Sequence, residues 1–275
     1  MKLAQFIDGK KLAKQSEESL RIMMDTYDVH PVLVILTCNP DDASQVYLRN
    51  KEKAAKRIGI ECRINQYDAS IDTFGLIADI EKLNKDPKVS GIIIQLPLPP
   101  HLDVKAIQKA VSPEKDVDGF SPDSNFYACT PNACLRMLAD YKIYVEGKHC
   151  VVIGRSEIVG KPLAKMLVDA NATVTICHSK TPITTLATIC KSADIVFSAA
   201  GVPGLIKPEY LKYGTTLIDI SINRDPEGNL CGDAVKECEN VCSYITPVPG
   251  GVGPMTVNTL MYHTVMAAVN TKKGG

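Results

Sequence analysis

Short runs of branched apolar residues alternate along this chain with segments whose apolar residues recur every three or four positions. "PVLVIL" at 31–36 reads as a buried strand, "ECRINQY" at 61–67 as an alternating one, and "GIIIQL" at 91–96 as another apolar strand closed by "PLPP". Between them, 47–59 and 72–85 carry helical periodicity. A second series follows "EGK": strands at 149–154, 172–177, 193–201 and 215–220, with a helix starting near Gly160 and another between the second and third strands. A last helix is predicted over 255–270. Strands spaced by helix-length segments predict an α/β protein with parallel sheet covered on both faces. The stretch "DGFSPDSNFYACTPN" is rich in turn residues, which places a domain boundary between 120 and 145.

Composition narrows the possibilities. With 275 residues, the chain is long enough for one large or two ordinary domains, each with its own core. Lys plus Arg number 31 and Asp plus Glu 31, so charge gives no reason to expect nucleic acid or an anionic membrane as partner. No apolar run approaches the roughly 18 residues of a membrane span. "MKLAQFIDGKKLAKQ" lacks the apolar core and cleavage site of a secretion signal. The ten cysteines are scattered without a CxxC pair, which reads as reduced, mostly buried thiols in a cytoplasmic protein. The five dispersed histidines make a zinc site an unattractive reading, and no metal is expected.

Helical geometry over 47–59 leaves one residue out of place. At ~100° per residue from Tyr47, Lys51 falls near 40°, Ala54 near 340°, Ala55 near 80° and Ile58 near 20°, while the other charged side chains spread over the opposite side. Lys51 thus sits within the apolar stripe. A lysine there either carries its head past an apolar stem to solvent or lines a site, where partial loss of solvation eases release of its proton.

Five further motifs carry possible chemistry. In "VVIGRSEIVGKPLAKML", a strand meets a glycine turn and a helix; Gly154 permits a close approach to phosphate, Arg155 and Ser156 offer polar groups, and the helix start offers amides. A turn that binds nothing is the alternative. The next strand ends in "CHSKT", with Ser179 and Lys180 where an NAD-reading fold carries an acid, so a 2′-phosphate and hence NADP is the better fit. "GIIIQLPLPP" puts Gln95 at the C-terminal end of an apolar strand, where it either tethers a loop or faces a ligand. "PEKDVDGF" offers Asp116 and Asp118; a carboxylate there can grip an amidine-like heterocycle edge, or simply close an Asx turn. "PVPGGVGPMT" offers backbone amides with little side-chain bulk, suited to a flat ligand or to a stiff connection.

Six segments in order, "ASQVYLRNKEKA", "GIIIQLPLP", "PEKDVDGF", "GRSEIVGKPLA", "ATVTICHSKT" and "TPVPGGVGPMTVNTLM", resemble the methylenetetrahydrofolate dehydrogenase/methenyltetrahydrofolate cyclohydrolase family, bacterial bifunctional type, over nearly the whole chain. The resemblance implies a two-domain α/β homodimer with a cleft between an N-terminal folate domain and a Rossmann-type NADP domain. The implied boundaries are 1–125, completed by the C-terminal helix at about 254–275, and 126–253. It implies catalytic roles for Lys51, Gln95, Asp118 and Tyr47, with the same four residues, Pro249 and Gly250 contacting a tetrahydrofolate derivative. Gly154, Arg155, Ser156, Ser179 and Ile222 match its cofactor contacts. The implied chemistry is oxidation of 5,10-methylenetetrahydrofolate with NADP+, then hydrolysis to 10-formyltetrahydrofolate. A dehydrogenase with weak hydrolysis, or a catalytically silent binder, are the alternatives; joint retention of Lys51, Gln95 and Asp118 speaks against the silent one. Three places depart from the family pattern: "SPDSNFYA" at 121–128, Ala133 and Ser221, the last two standing where glycine is usual.

Overall fold

The computed structural model describes residues 3–38 and 42–274. In chain order its elements are β1 (Gln5–Phe6), α1 (Gly9–Tyr27), β2 (Val32–Cys38), α2 (Asp42–Ile58), β3 (Glu61–Tyr67), α3 (Thr73–Lys85), β4 (Gly91–Ile94), α4 (Val104–Ala110), α5 (Cys129–Asp140), β5 (His149–Ile153), α6 (Gly160–Asp169), β6 (Thr173–Cys177), α7 (Ile183–Ser192), β7 (Ile195–Ser198), β8 (Thr216–Asp219), β9 (Asn223–Arg224), β10 (Leu230–Cys231), β11 (Tyr244–Ile245) and α8 (Val252–Gly274). They divide into two compact units: Lys14–Cys129 with Val257–Gly275, and Met1–Ala13 with Thr130–Thr256.

The first unit is built on a three-stranded parallel sheet of order β3-β2-β4. Every residue of the central strand β2 is buried, and its alternation sorts the helices. Leu33 and Ile35 point into a cluster with Leu20 and Met24 of α1, Ala54, Ala55 and Ile58 of α2, and Leu260, Met261 and Val265 of α8. Val32, Val34 and Leu36 point the other way, onto Leu76 and Ile80 of α3 and Ile107 of α4. Covering both faces leaves a strand no polar positions, which is why 31–36 reads as a continuous apolar run.

The second unit carries a six-stranded sheet of order β1-β11-β8-β7-β5-β6, every neighbouring pair parallel. Cys150 and Val152 face a cluster with α5 and α6, and Val151 and Ile153 face one with α7. After β5 the chain adds β6 on one side and then crosses to β7 on the other. That reversal of direction is where open α/β sheets take ligands at the C-terminal strand ends.

The seven strands read from the pattern are present as β2 to β8, parallel neighbours within these two sheets, while α1, α4, α5, β1, β9, β10 and β11 escaped it. α1 has Ala13, Leu20 and Met24 buried, but a buried Glu17 interrupts the stripe; it holds Arg57 of α2 through Nε and Nη2 at 3.0 and 2.5 Å. β1, β9 and β10 are two residues each, too short to show a period. α5 begins inside the turn-rich stretch, and α2 and α8 begin earlier than the periodicity suggests. Ala133 lies fully buried inside α5, a helix interior where alanine is favoured over glycine by about 1 kcal/mol.

Candidate active site

In the first unit, α2 presents Leu48, Ala54, Ala55 and Ile58 to the core, and Lys51 lies half-buried on the same side. Its amine does not run out past the stem to water alone. Lys51 Nζ donates to Gln95 Oε1 at 3.0 Å. Gln95 lies one residue beyond β4 and is buried, and its amide nitrogen donates to Leu96 O at 2.7 Å. Both ends of the amide are therefore engaged, which turns its oxygen toward the lysine. Tyr47, one turn earlier on α2, leaves about half its surface exposed, 47%.

The "PEKDVDGF" stretch divides its two acids between two tasks. Asp116 is buried and closes the turn: its carboxyl accepts from Gly119 N at 3.1 Å and Ser121 N at 2.8 Å, and its carbonyl accepts from Ser124 Oγ at 2.9 Å. Gly119 has φ +72°, and a Cβ there would fall 2.4 Å from the Tyr127 backbone, so only glycine closes this turn. Asp118 takes no part in that closure. Burial pushes its carboxyl above the ordinary carboxylate range, while the Lys51 ammonium and a hydrogen bond with Cys129 pull it back. Asp116 is likewise raised, chiefly by burial. Behind the turn, His263 of α8 donates from Nδ1 to Val117 O at 2.9 Å and stacks obliquely on Phe126, ring centres 5.0 Å apart. The Asx-turn reading thus holds for Asp116, and Asp118 is left to face Lys51.

In the second unit, Gly154 ends β5 with φ +128°, and a Cβ there would lie 2.4 Å from Ala199 O. A Cβ at Gly160 would lie 2.3 Å from Gly154 O. The two glycines let strand, turn and α6 approach to backbone contact, which leaves the turn bare for a phosphate. Ser156 is exposed, and its hydroxyl accepts from Val159 N at 3.2 Å and Gly160 N at 3.3 Å, so it closes the turn that leads into α6. Arg155, Ser179 and Lys180 are exposed at the ends of β5 and β6, with no acid in "HSKT". This donor set fits a dinucleotide carrying a 2′-phosphate. Gly154→Ala should lower stability by about 3 kcal/mol through strain and overlap, read from the midpoint of urea unfolding.

Sequence reading missed the acids beneath this edge. Asp233 is fully buried and accepts from Ser198 Oγ, Ala200 N, Val202 N, Ser221 Oγ and Asn223 Nδ2 at 2.7 to 3.0 Å. Its neighbour Asp219, at the end of β8, is raised from 3.8 to about 6, mostly by burial and in part by Asp233. Only an aspartate with nothing chemical beside it, in "LCGDAV", marked Asp233 in the sequence. A carbon-13 titration of the Asp219 carboxyl should give a midpoint near 6. Between about pH 4 and 6 the unfolded chain sheds this proton while the fold keeps it, so this group's contribution to stability falls as pH rises through that window.

Ile222 is 46% exposed in the loop after β8. Pro249 is exposed and Gly250 buried in the loop before α8, where Gly250 O accepts from Lys10 N at 3.1 Å. The structure thus gathers Lys51, Gln95 and Asp118 in the first unit, and places the cofactor candidates with Pro249 and Gly250 in the second. Among the described residues, no group of three or more His, Cys, Asp or Glu is arranged to hold a metal ion. Likewise, no helix among them is long and apolar enough to cross a membrane.

Comparison with known proteins matches the chain in two consecutive stretches. Residues 7–118 match the tetrahydrofolate dehydrogenase/cyclohydrolase catalytic domain, and residues 128–272 match the NAD(P)-binding domain of the same family. The bifunctional protein FolD of Moorella thermoacetica is 45% identical over 280 residues, covering 96% of this chain and 99% of that protein. The crystal structure of the bifunctional FolD dehydrogenase/cyclohydrolase from Campylobacter jejuni superposes with a TM-score of 0.94 at 38% identity, covering 97% of this chain and 99% of that one. The Trypanosoma brucei enzyme, solved with NADP and an inhibitor, gives a TM-score of 0.89 at 35% identity and covers 98% of each chain.

Proposed function

The chain belongs to the tetrahydrofolate dehydrogenase/cyclohydrolase family, and from that premise we propose that it oxidises 5,10-methylenetetrahydrofolate with NADP+ and hydrolyses the methenyl product to 10-formyltetrahydrofolate, Lys51 moving the protons of the second step. The observation that carries this reading is the Lys51 Nζ to Gln95 Oε1 hydrogen bond, 3.0 Å long, on an amine that also acts electrostatically on Asp118. A silent binder has no need of such a lysine.

Bound NADP+ supplies the acceptor for the pair of electrons and the hydrogen that leave the one-carbon bridge. The chain contributes position. Asp118 grips the pterin by accepting two parallel N–H bonds from its amidine-like edge, an arrangement that needs its carboxyl ionised. Lys51 favours that ionised form. Water then adds to the methenyl carbon. Lys51, as the free amine, takes one proton from the added water and hands it to the pterin nitrogen as its bond to carbon breaks; the remaining hydroxyl proton leaves to solvent as the formyl C=O forms on the other nitrogen, so one proton is released for each turnover. Gln95 fixes the amine for both transfers, because its own amide is held by Leu96 O.

Tyr47, at i and i+4 with Lys51, offers a ring face to the substrate; Pro249 and Gly250 complete the proposed substrate-binding set. Gly154, Arg155, Ser156, Ser179 and Ile222 form the proposed cofactor set. On this reading residues 1–125 with the helix from about 254 carry the folate chemistry, and residues 126–253 the cofactor. All ten cysteines are free, which suits a reducing cytoplasm. A homodimer is the proposed assembly.

The test is to give the purified chain 5,10-methylenetetrahydrofolate with NADP+ and NAD+ in parallel, following methenyl formation and decay separately. Faster reaction with NADP+, then loss of methenyl, is expected; no pterin-dependent reduction of either cofactor would overturn the reading.

A further inference from the structure

Two loops at the C-terminal edge of the six-stranded sheet share one buried anchor. Residues 199–202 follow β7 and residues 220–223 follow β8. Asp233 Oδ2 accepts from Ser198 Oγ at 2.7 Å, Ala200 N at 2.9 Å and Ser221 Oγ at 2.7 Å; Oδ1 accepts from Val202 N at 2.8 Å and Asn223 Nδ2 at 3.0 Å. Ser221 does more than reach the anchor. Its hydroxyl donates to Asp233 and accepts from Gly201 N at 3.0 Å, so it also joins one loop directly to the other. The loops then hold two apolar side chains outward: Val202 is 48% and Ile222 46% exposed. Five donors on one fully buried carboxyl exceed what closing two short loops requires, and exposed branched side chains on a fixed frame suit a flat heterocycle.

The strand order says which part of a dinucleotide comes here. β5 and β6 lie on one side of the reversal, with the bare glycine turn and the "HSKT" tip; β7 and β8 lie on the other. A dinucleotide laid across the reversal puts its adenosine half over the first pair and its other half over the second.

We infer that Ser221 and Asp233 are positioning residues that hold Val202 and Ile222 against the nicotinamide half of the cofactor, so that the Ser221 hydroxyl sets affinity for that half alone. The inference rests on the NADP reading proposed above. Losing the hydroxyl removes one direct link between the loops and one of three donors on Asp233 Oδ2, while the remaining four donors keep the frame.

The experiment is calorimetric titration of wild type and Ser221→Ala with NADP+, NAD+ and 2′,5′-ADP, which carries the phosphorylated adenosine half without nicotinamide. Dissociation constants for NADP+ and NAD+ should rise by the same factor, about 3- to 10-fold, the size expected for one hydrogen bond. That for 2′,5′-ADP should stay at the wild-type value. Unchanged NADP+ affinity, or equal weakening of 2′,5′-ADP, would overturn the inference. Ser221→Gly, which also lacks the hydroxyl, should repeat the alanine result and serves if alanine disturbs folding. Wild-type protein that binds none of the three ligands would sink the cofactor reading itself, a result distinct from a wild type that binds while the variant matches it.

Discussion

Replacing Asp118 by alanine should lower kcat/KM for both half-reactions by about 100-fold or more, with the melting temperature little changed. Two charge-assisted hydrogen bonds from the pterin edge are lost together, each worth roughly 1.5–3 kcal/mol. Both reactions use the same bound pterin, so both must suffer. The fold should tolerate the change because the turn is closed by the other acid: Asp116 accepts from Gly119 N and Ser121 N, and Asp118 does not. An Asp116→Ala variant should behave in the opposite way, losing stability first. Burial raises the Asp118 carboxyl, and Lys51 counters that rise. Because the ionised form binds, activity should fall on the acid side at a pH above the ordinary aspartate range. If the amine of Lys51 is removed, that acid limb should move to higher pH, since the pull that favours ionisation is gone. Steady-state profiles of the dehydrogenase step in wild type and Lys51→Met check both statements.

Lys51→Met should separate the two activities. Methionine has a similar length and fills the half-buried position on α2 without an amine. The hydride-transfer step needs the substrate held against its acceptor, which the lysine does not supply. Hydrolysis needs a proton taken from water and one returned to nitrogen, and loss of a positioned acid–base group costs about 100- to 10,000-fold. In the coupled assay, methenyltetrahydrofolate should therefore accumulate as the end product in the variant, where wild type carries it on to 10-formyltetrahydrofolate. Gln95→Ala should slow hydrolysis less, because the amine remains and only its orientation loosens.

The helix stripe at 47–59 was enough to single out Lys51, and the apolar run at 91–96 was enough to single out Gln95, because a polar group on a buried face or strand needs a partner. That the two are each other's partner was not readable, since 44 residues separate them and only the β2–β4 pairing brings strand end and helix together. The acids of "PEKDVDGF" were legible as a pair and not as individuals. Which of them closes the turn depends on the chain reversing at Gly119, a backbone event with no periodicity. Asp233 was invisible for another reason: its partners come from Ser198, Ala200, Val202, Ser221 and Asn223, none of them near it in a recognisable pattern. α1 escaped because its one buried acid breaks the stripe, and its ion pair with Arg57 can be seen only once α1 and α2 are packed. The parallel sheets themselves followed from strand spacing, because a parallel connection needs a crossover of helix length.

The proposed chemistry depends on the amine at position 51 performing the hydrolytic proton transfers. Preformed methenyltetrahydrofolate, mixed with excess enzyme in a single turnover without any nicotinamide cofactor, isolates that step. Wild type should convert it rapidly to the formyl compound, while Lys51→Met binds it and leaves its decay near the rate in buffer. Decay by the bound variant at the wild-type rate would contradict the account.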